Sequence, residues 1–129
     1  MEKETKITVN EQGSKYYLYD NYLHREDGPA IEHTNGYHEW FLNGKRHRTD
    51  GPALQYENGD KYWYFKGKFH CTTGPAVEIA GSKYWYFEDK WHCITGPAIE
   101  RPDGSKCWFI NGVQYTEEQF NQKVKELQS

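Results

Sequence analysis

His47-Arg48-Thr49-Asp50-Gly51-Pro52-Ala53-Leu54-Gln55-Tyr56, then Asn58-Gly59, then Lys61-Tyr62-Trp63-Tyr64-Phe65-Lys66-Gly67, is one period of an internal repeat. Gly-Pro-Ala recurs at Gly28, Gly51, Gly74 and Gly96, at intervals of 23, 23 and 22 residues. A histidine stands four positions before each glycine: His24, His47, His70 and His92. A tryptophan follows at near-constant distance: Trp40, Trp63, Trp85 and Trp108. Three markers in phase over four copies define a repeat architecture, in which each unit buries its apolar face against its neighbours.

Each period reads as a short strand, a turn, an aromatic strand and a second turn. Asn-Gly pairs accept positive φ at both central positions of a two-residue hairpin. Such turns every 8–12 residues predict an antiparallel meander. Glu88-Asp89 replaces the glycine turn in one unit, and Ala80-Gly81 marks the shortened one. The other glycines also read as turn glycines. Gly13-Ser14-Lys15-Tyr16-Tyr17-Leu18-Tyr19 matches Gly81-Ser82-Lys83-Tyr84-Trp85-Tyr86-Phe87 and forms a degenerate first half-unit. Ile7-Thr8-Val9 adds an edge strand before it. Thr116-Glu117-Glu118-Gln119 is a capping box, and Phe120, Val124 and Leu127 follow at helical spacing. The expected fold is therefore all-β: a single antiparallel meander of about nine or ten strands, two per repeat, capped by one C-terminal helix over 117–127. Residues 1–129 make one repeat domain, with a half-unit at 13–27, repeats at 28–50, 51–73, 74–95 and 96–115, and the cap at 116–129.

Alternation assigns two faces to the aromatic strands. The Trp row is expected to be core, joined by Ile31, Leu54, Val77 and Ile99. The opposite row, Phe41, Tyr62, Tyr64, Tyr84 and Tyr86, is the candidate partner-binding surface, because Tyr gives large contact area at low entropy cost. Glu32, Gln55, Glu78 and Glu100 form a solvated row rather than a converging acid–base pair.

The 129 residues carry 16 basic and 19 acidic side chains, for a net charge of −3, which excludes a dedicated binder of double-stranded nucleic acid. Aromatics at 17% exclude disorder. No apolar run approaches the roughly 18 residues of a membrane span, and Met1–Asn10 is too polar for a signal peptide. A cytoplasmic location is expected.

The four repeat histidines do not read as metal ligands. Equivalent positions in successive hairpins lie roughly 9–10 Å apart, and zinc needs ligands within about 2.0–2.3 Å. Each imidazole is expected to bond at its own bend, His24 with Asp27 and His47 with Asp50, and His70 and His92 with Thr73 and Thr95. Cys71, Cys93 and Cys107 read as free thiols, too far apart for a disulfide. No phosphate-binding loop is present. Neither a cofactor nor a catalytic group is expected.

Leu23–Glu32 and Asn43–Ala53, with Trp40-Phe41-Leu42 between them, resemble the MORN-like hairpin repeats of tailed-phage and giant-virus proteins. The stretch Trp108–Phe120 is similar to the ending common in the phage members. The resemblance covers residues 13–127. It implies a β-repeat sheet and a binding or scaffold role rather than an enzyme. It further implies a phage accessory factor that binds and inhibits or redirects a host defence protein. Cys71-Thr72-Thr73 and Cys93-Ile94-Thr95 depart from the pattern, losing its Arg and Asp. A small-ligand binder or sponge for a nucleotide signal is the alternative, with Arg25, Arg46 and Arg48 meeting phosphate beside aromatic rings.

Overall fold

A computed structural model describes residues 4–128; Met1–Lys3, at the start of the polar N-terminal segment, and Ser129 lie outside the described residues. The fold is all-β, an antiparallel hairpin meander with one C-terminal helix, α1 (Glu117–Gln128). The chain divides into two compact units, one up to Lys68 and one from Phe69 onward. In the first, β1 (Thr5–Val9) pairs with β2 (Lys15–Tyr19) along its whole length. Ile31–Glu32, His38–Glu39, Leu54–Gln55 and Lys61–Tyr62 then follow, each antiparallel to the last. In the second, Val77–Ile79, Ser82–Tyr84, Ile99–Glu100, Lys106–Ile110 and Val113–Tyr115 repeat the pattern.

The described residues hold 18 strands, not nine or ten: the aromatic strand breaks at Trp40, Trp63 and Trp85, and each flap adds a return strand of its own. Trp40 N–H donates to the Ala53 carbonyl, at 2.7 Å, while Trp40 C=O accepts from His47 N–H. Trp85 does the same with Ala98 and His92, and Tyr17 with Ala30 and His24. Before this residue the strand runs beside the short strand of its own period. After it, the chain leaves as a separate two-stranded flap, Phe41–Leu42 with Lys45–Arg46 in the first unit and Tyr86–Phe87 with Lys90–Trp91 in the second.

The core is not the Trp row. Ala30, Ala53, Ala76 and Ala98 of the four Gly-Pro-Ala motifs are 0% exposed, and Ile31, Leu54, Val77 and Ile99 are buried beside them. The tryptophans are only half-buried. Residues directly opposite in an antiparallel pair share a face. Leu54 stands opposite Tyr62, Val77 opposite Tyr84, and Ile99 opposite Tyr84 and Cys107. The aliphatics therefore lie on the Tyr62 and Tyr84 face, where the alternation argument had joined them to the tryptophans. The irregular residue at Trp spoils the parity on which that argument depended. The other face carries the expected polar row, half-buried at Glu32, Glu78 and Glu100 and exposed at Gln55: Lys15, Glu32, His38, Gln55 and Lys61 in the first unit, and Glu78, Lys83, Glu100 and Lys106, with alternating charge, in the second.

Helix α1 starts where the capping box places it. Gln119 N–H donates to Thr116 Oγ1 at 3.1 Å, and Thr116 N–H donates to Gln119 Oε1 at 3.0 Å. The helix buries Phe120 against the last two strands of the second unit.

Candidate functional site

His24 Nε2 lies 3.7 Å from Glu26 Oε1 within its own bend, but the bond that all four histidines share is made outside the bend. Each Nδ1 accepts the backbone N–H of the first residue in the next flap turn. Asn43 gives to His24, Lys66 to His47 and Asn111 to His92, each at 2.9 Å, and Glu88 gives to His70 at 3.3 Å. The second turn residue is held as well: Gly44 N–H donates to Leu23 C=O, Gly67 to Arg46, Asp89 to Phe69 and Gly112 to Trp91. Every turn has positive φ at both positions, and Glu88 (48°) and Asp89 (67°) adopt it without glycine. One histidine and its preceding carbonyl thus lock the following hairpin by both turn amides. Nδ1 is consumed as an acceptor, so the imidazole is the neutral Nε2–H tautomer. Burial pushes the His47 and His92 pKa down, and nearby Lys66 lowers His47 further.

The acceptors expected for histidine serve the next residue instead. Arg25 Nε bonds Asp27 at 3.0 Å and Arg48 Nε bonds Asp50 at 2.8 Å. Cys71 Sγ meets Thr73 Oγ1, and Cys93 Sγ meets Thr95 Oγ1. Each guanidinium also folds back onto its own Gly-Pro-Ala, reaching the Pro29 or Pro52 carbonyl at 3.3 Å. It lies 4.0 Å from the ring centre of Tyr17 (Arg25) or Trp40 (Arg48). Arg25 pairs in addition with Glu32, whose carboxyl it holds below the ordinary value. Gly28 and Gly51 are therefore not turn glycines: a Cβ there would stand 2.8 and 2.7 Å from the guanidinium carbon. Cys71 and Cys93, where the repeats lose this arginine, are buried thiols, and no Cβ clash exists at Gly74 or Gly96. Arg25 and Arg48 both line a cleft of about 340 Å³ with Trp40 and His47. A second cleft, of about 790 Å³, runs between Arg25 and the Thr5–Ile7 stretch of β1.

Arg46 is elsewhere. On the first unit's flap its guanidinium lies 5.3 Å from the Phe41 ring centre and 5.7 Å from that of Tyr64. It bonds Glu39 Oε1 at 2.8 Å, and Glu39 Oε2 meets His33 Nε2 at 3.0 Å. Glu39 is buried, and Arg46 Nε lacks a partner in the protein. Beside this triad the rings of His33, Tyr37 and Tyr56 stack at 4.5 and 4.8 Å, and burial raises the Tyr37 phenol. The sequence reading missed Glu39 and His33. Their signal was present: Glu39 stands where other repeats have Tyr62, Tyr84 and Cys107, and Arg46 where they have Phe69 and Trp91. Two departures in one repeat, of opposite charge, mark a pair.

The second unit has aromatics at these places. Tyr86 lies 5.0 Å from Phe69 and 6.1 Å from Trp91, and Trp91 lies 4.9 Å from Phe109. Tyr84 packs on the buried cluster of Cys93, Ala98, Ile99 and Phe109. Of the five candidate binding residues, Tyr62 and Tyr84 thus share the core face of the sheet, while Phe41, Tyr64 and Tyr86 sit in the flap segments beyond the tryptophans. All five are half-buried.

Among the described residues no group of three or more His, Cys, Asp or Glu side chains is placed to hold a metal ion, and no helix is long and apolar enough to cross a membrane. Comparison with protein families, with curated proteins and with solved structures finds no match.

Proposed function

We propose that the protein is a non-enzymatic β-repeat binding module whose partner is another protein. The observation that carries the reading is the chemistry of the flaps. In the first unit, Arg46 stands between Phe41 and Tyr64; in the second, Tyr86 lies beside Trp91, which is 36% exposed. Tyr, Trp and Arg are the residues that dominate binding energy at protein interfaces. Tyr62 and Tyr84 act beneath them as support. The resemblance to phage hairpin repeats points the module at a host protein, as an accessory factor that inhibits or redirects a defence component. The alternative, a binder of a nucleotide signal, is supported by the cleft that Arg25 and Arg48 share with Trp40. It is opposed by their charge: Asp27 and Asp50 already neutralise both guanidinia.

The test is affinity capture from host lysate with the native chain, with Phe41→Ala/Tyr64→Ala, and with Tyr86→Ala. Loss of an interface anchor costs about 2–4 kcal/mol, so a partner held by the native chain should be lost from at least one variant that still melts normally. Retention by both variants, with normal melting, refutes the assignment.

A further inference from the structure

β1 is the end strand of its sheet. Its inner edge is fully paired with β2, and its outer edge has no neighbouring strand among the described residues. All five residues are exposed, Ile7 at 57% and Val9 at 60%. The end of the second unit is treated differently, since α1 packs on its last strands. An exposed, regular edge strand is a template for another strand unless something covers it.

The hydrogen bonds of β2 show which backbone groups of β1 are available. Tyr17 N–H donates to Ala30 C=O, and Tyr17 C=O accepts from His24 N–H, so both point away from β1. Ile7 stands opposite Tyr17. The two form a non-hydrogen-bonded pair, and Ile7 N–H and C=O point outward. By strand alternation, those of Thr5 and Val9 do too. Asn10 N–H donating inward to Ser14 C=O agrees with that parity.

We propose that this edge pairs with the same edge of a second copy, antiparallel about a two-fold axis at Ile7. Only that register uses all three outward residues. Ile7 meets Ile7 of the partner subunit, Thr5 meets the partner's Val9, and about six backbone hydrogen bonds form. The side chains agree. Lys6 falls opposite the partner's Thr8, whereas centring on Lys6 would oppose two ammonium groups, which is destabilising. The row Thr5, Ile7, Val9 is wholly β-branched, the type favoured on a pleated surface. The pairing also continues the floor of the larger cleft, lined by Thr5, Ile7, Tyr17 and Tyr19, across the axis. The contact is short of the roughly 1,000 Å² of a stable interface, so the association is transient and concentration-dependent.

Sedimentation equilibrium of the full chain from about 10 μM to 1 mM tests it, together with residue-resolved amide exchange. The weight-average mass should climb from 15.3 kDa toward twice that value. Exchange at Ile7 and Val9 should slow about tenfold or more at the high concentration, while Lys6 and Thr8, already bonded to β2, stay unchanged. Ile7→Pro removes an outward N–H that the monomer does not use, which an edge strand tolerates, and it should remain monomeric throughout. No rise in mass at 1 mM overturns the proposal. So does a rise without slowed exchange at Ile7 and Val9, or an Ile7→Pro chain that folds and self-associates like the parent. If the proline disrupts the hairpin, the parent's exchange pattern decides by itself.

Discussion

Gly51→Ala isolates the arginine fold-back. Gly51 does not have positive φ, so its backbone accepts alanine, and the obstacle is the Arg48 guanidinium carbon 2.7 Å from the new Cβ. That group is the far end of a flexible side chain and can leave, but leaving has consequences. It forfeits the stack on Trp40 at 4.0 Å, about 0.5–1 kcal/mol for a partly exposed cation. It also loses the Asp50 pair, which solvent screens heavily because Asp50 is 76% exposed. The bond to the Pro52 carbonyl goes as well. Against roughly 1–2 kcal/mol of loss stands the usual gain of about 0.4–1 kcal/mol from a less flexible unfolded chain. Gly51→Ala should therefore destabilise by about 0.5–1.5 kcal/mol, read as a lower urea midpoint by tryptophan fluorescence. Gly74→Ala, with nothing within 4 Å of its Cβ, should be neutral or stabilising. The decisive arm is the double-mutant cycle. In an Arg48→Ala background Gly51→Ala should lose its cost and gain about 0.4–1 kcal/mol. If the cost persists without Arg48, the glycine serves the backbone and the fold-back explanation is wrong.

Two further outcomes follow from the same geometry. Burial holds the folded pKa of His47 and His92 below that of the unfolded chain. Above about pH 6.5 both states are neutral and stability is full; as pH falls from there the unfolded chain takes up protons first, and stability drops until the folded pKa is reached. Urea midpoints measured from pH 8 to pH 5 should show that fall, and His47→Ala, costing about 1 kcal/mol at pH 8 through the lost Lys66 acceptor, should lessen it. The double change Glu39→Tyr/Arg46→Phe installs residue types that other repeats carry at these places. It should be neutral or stabilising, while Arg46→Phe alone, leaving Glu39 buried with only His33, should cost about 2–3 kcal/mol in chemical denaturation. An equal effect of the single and double changes would show that Glu39 does not depend on its partner.

The repeat, the hairpin meander, the flap turns, the polar row and the capped helix were all legible along the linear chain. These depend on local chemistry: Asn-Gly pairs admit positive φ, Thr116 and Gln119 satisfy each other's amides, and period-two alternation holds within an unbroken strand. The stacking of the hairpins set what local chemistry cannot express. Trp40 and Trp85 change hydrogen-bond partners in mid-strand, which breaks the alternation and moves the buried surface onto the Gly-Pro-Ala alanines and the aliphatics beside them. His24 finds its partner at Asn43, 19 residues on, because the following hairpin lies against it in space. Gly28 and Gly51 look like turn residues in sequence and prove to be clearance for an arginine. Glu39 and Arg46 were legible only as departures from the repeat, since their pairing depends on a flap folding back toward a strand seven residues earlier. A repeat sequence specifies its period through contacts within each turn and strand; the contacts between successive hairpins, which assign faces and partners, exist only once the hairpins are stacked.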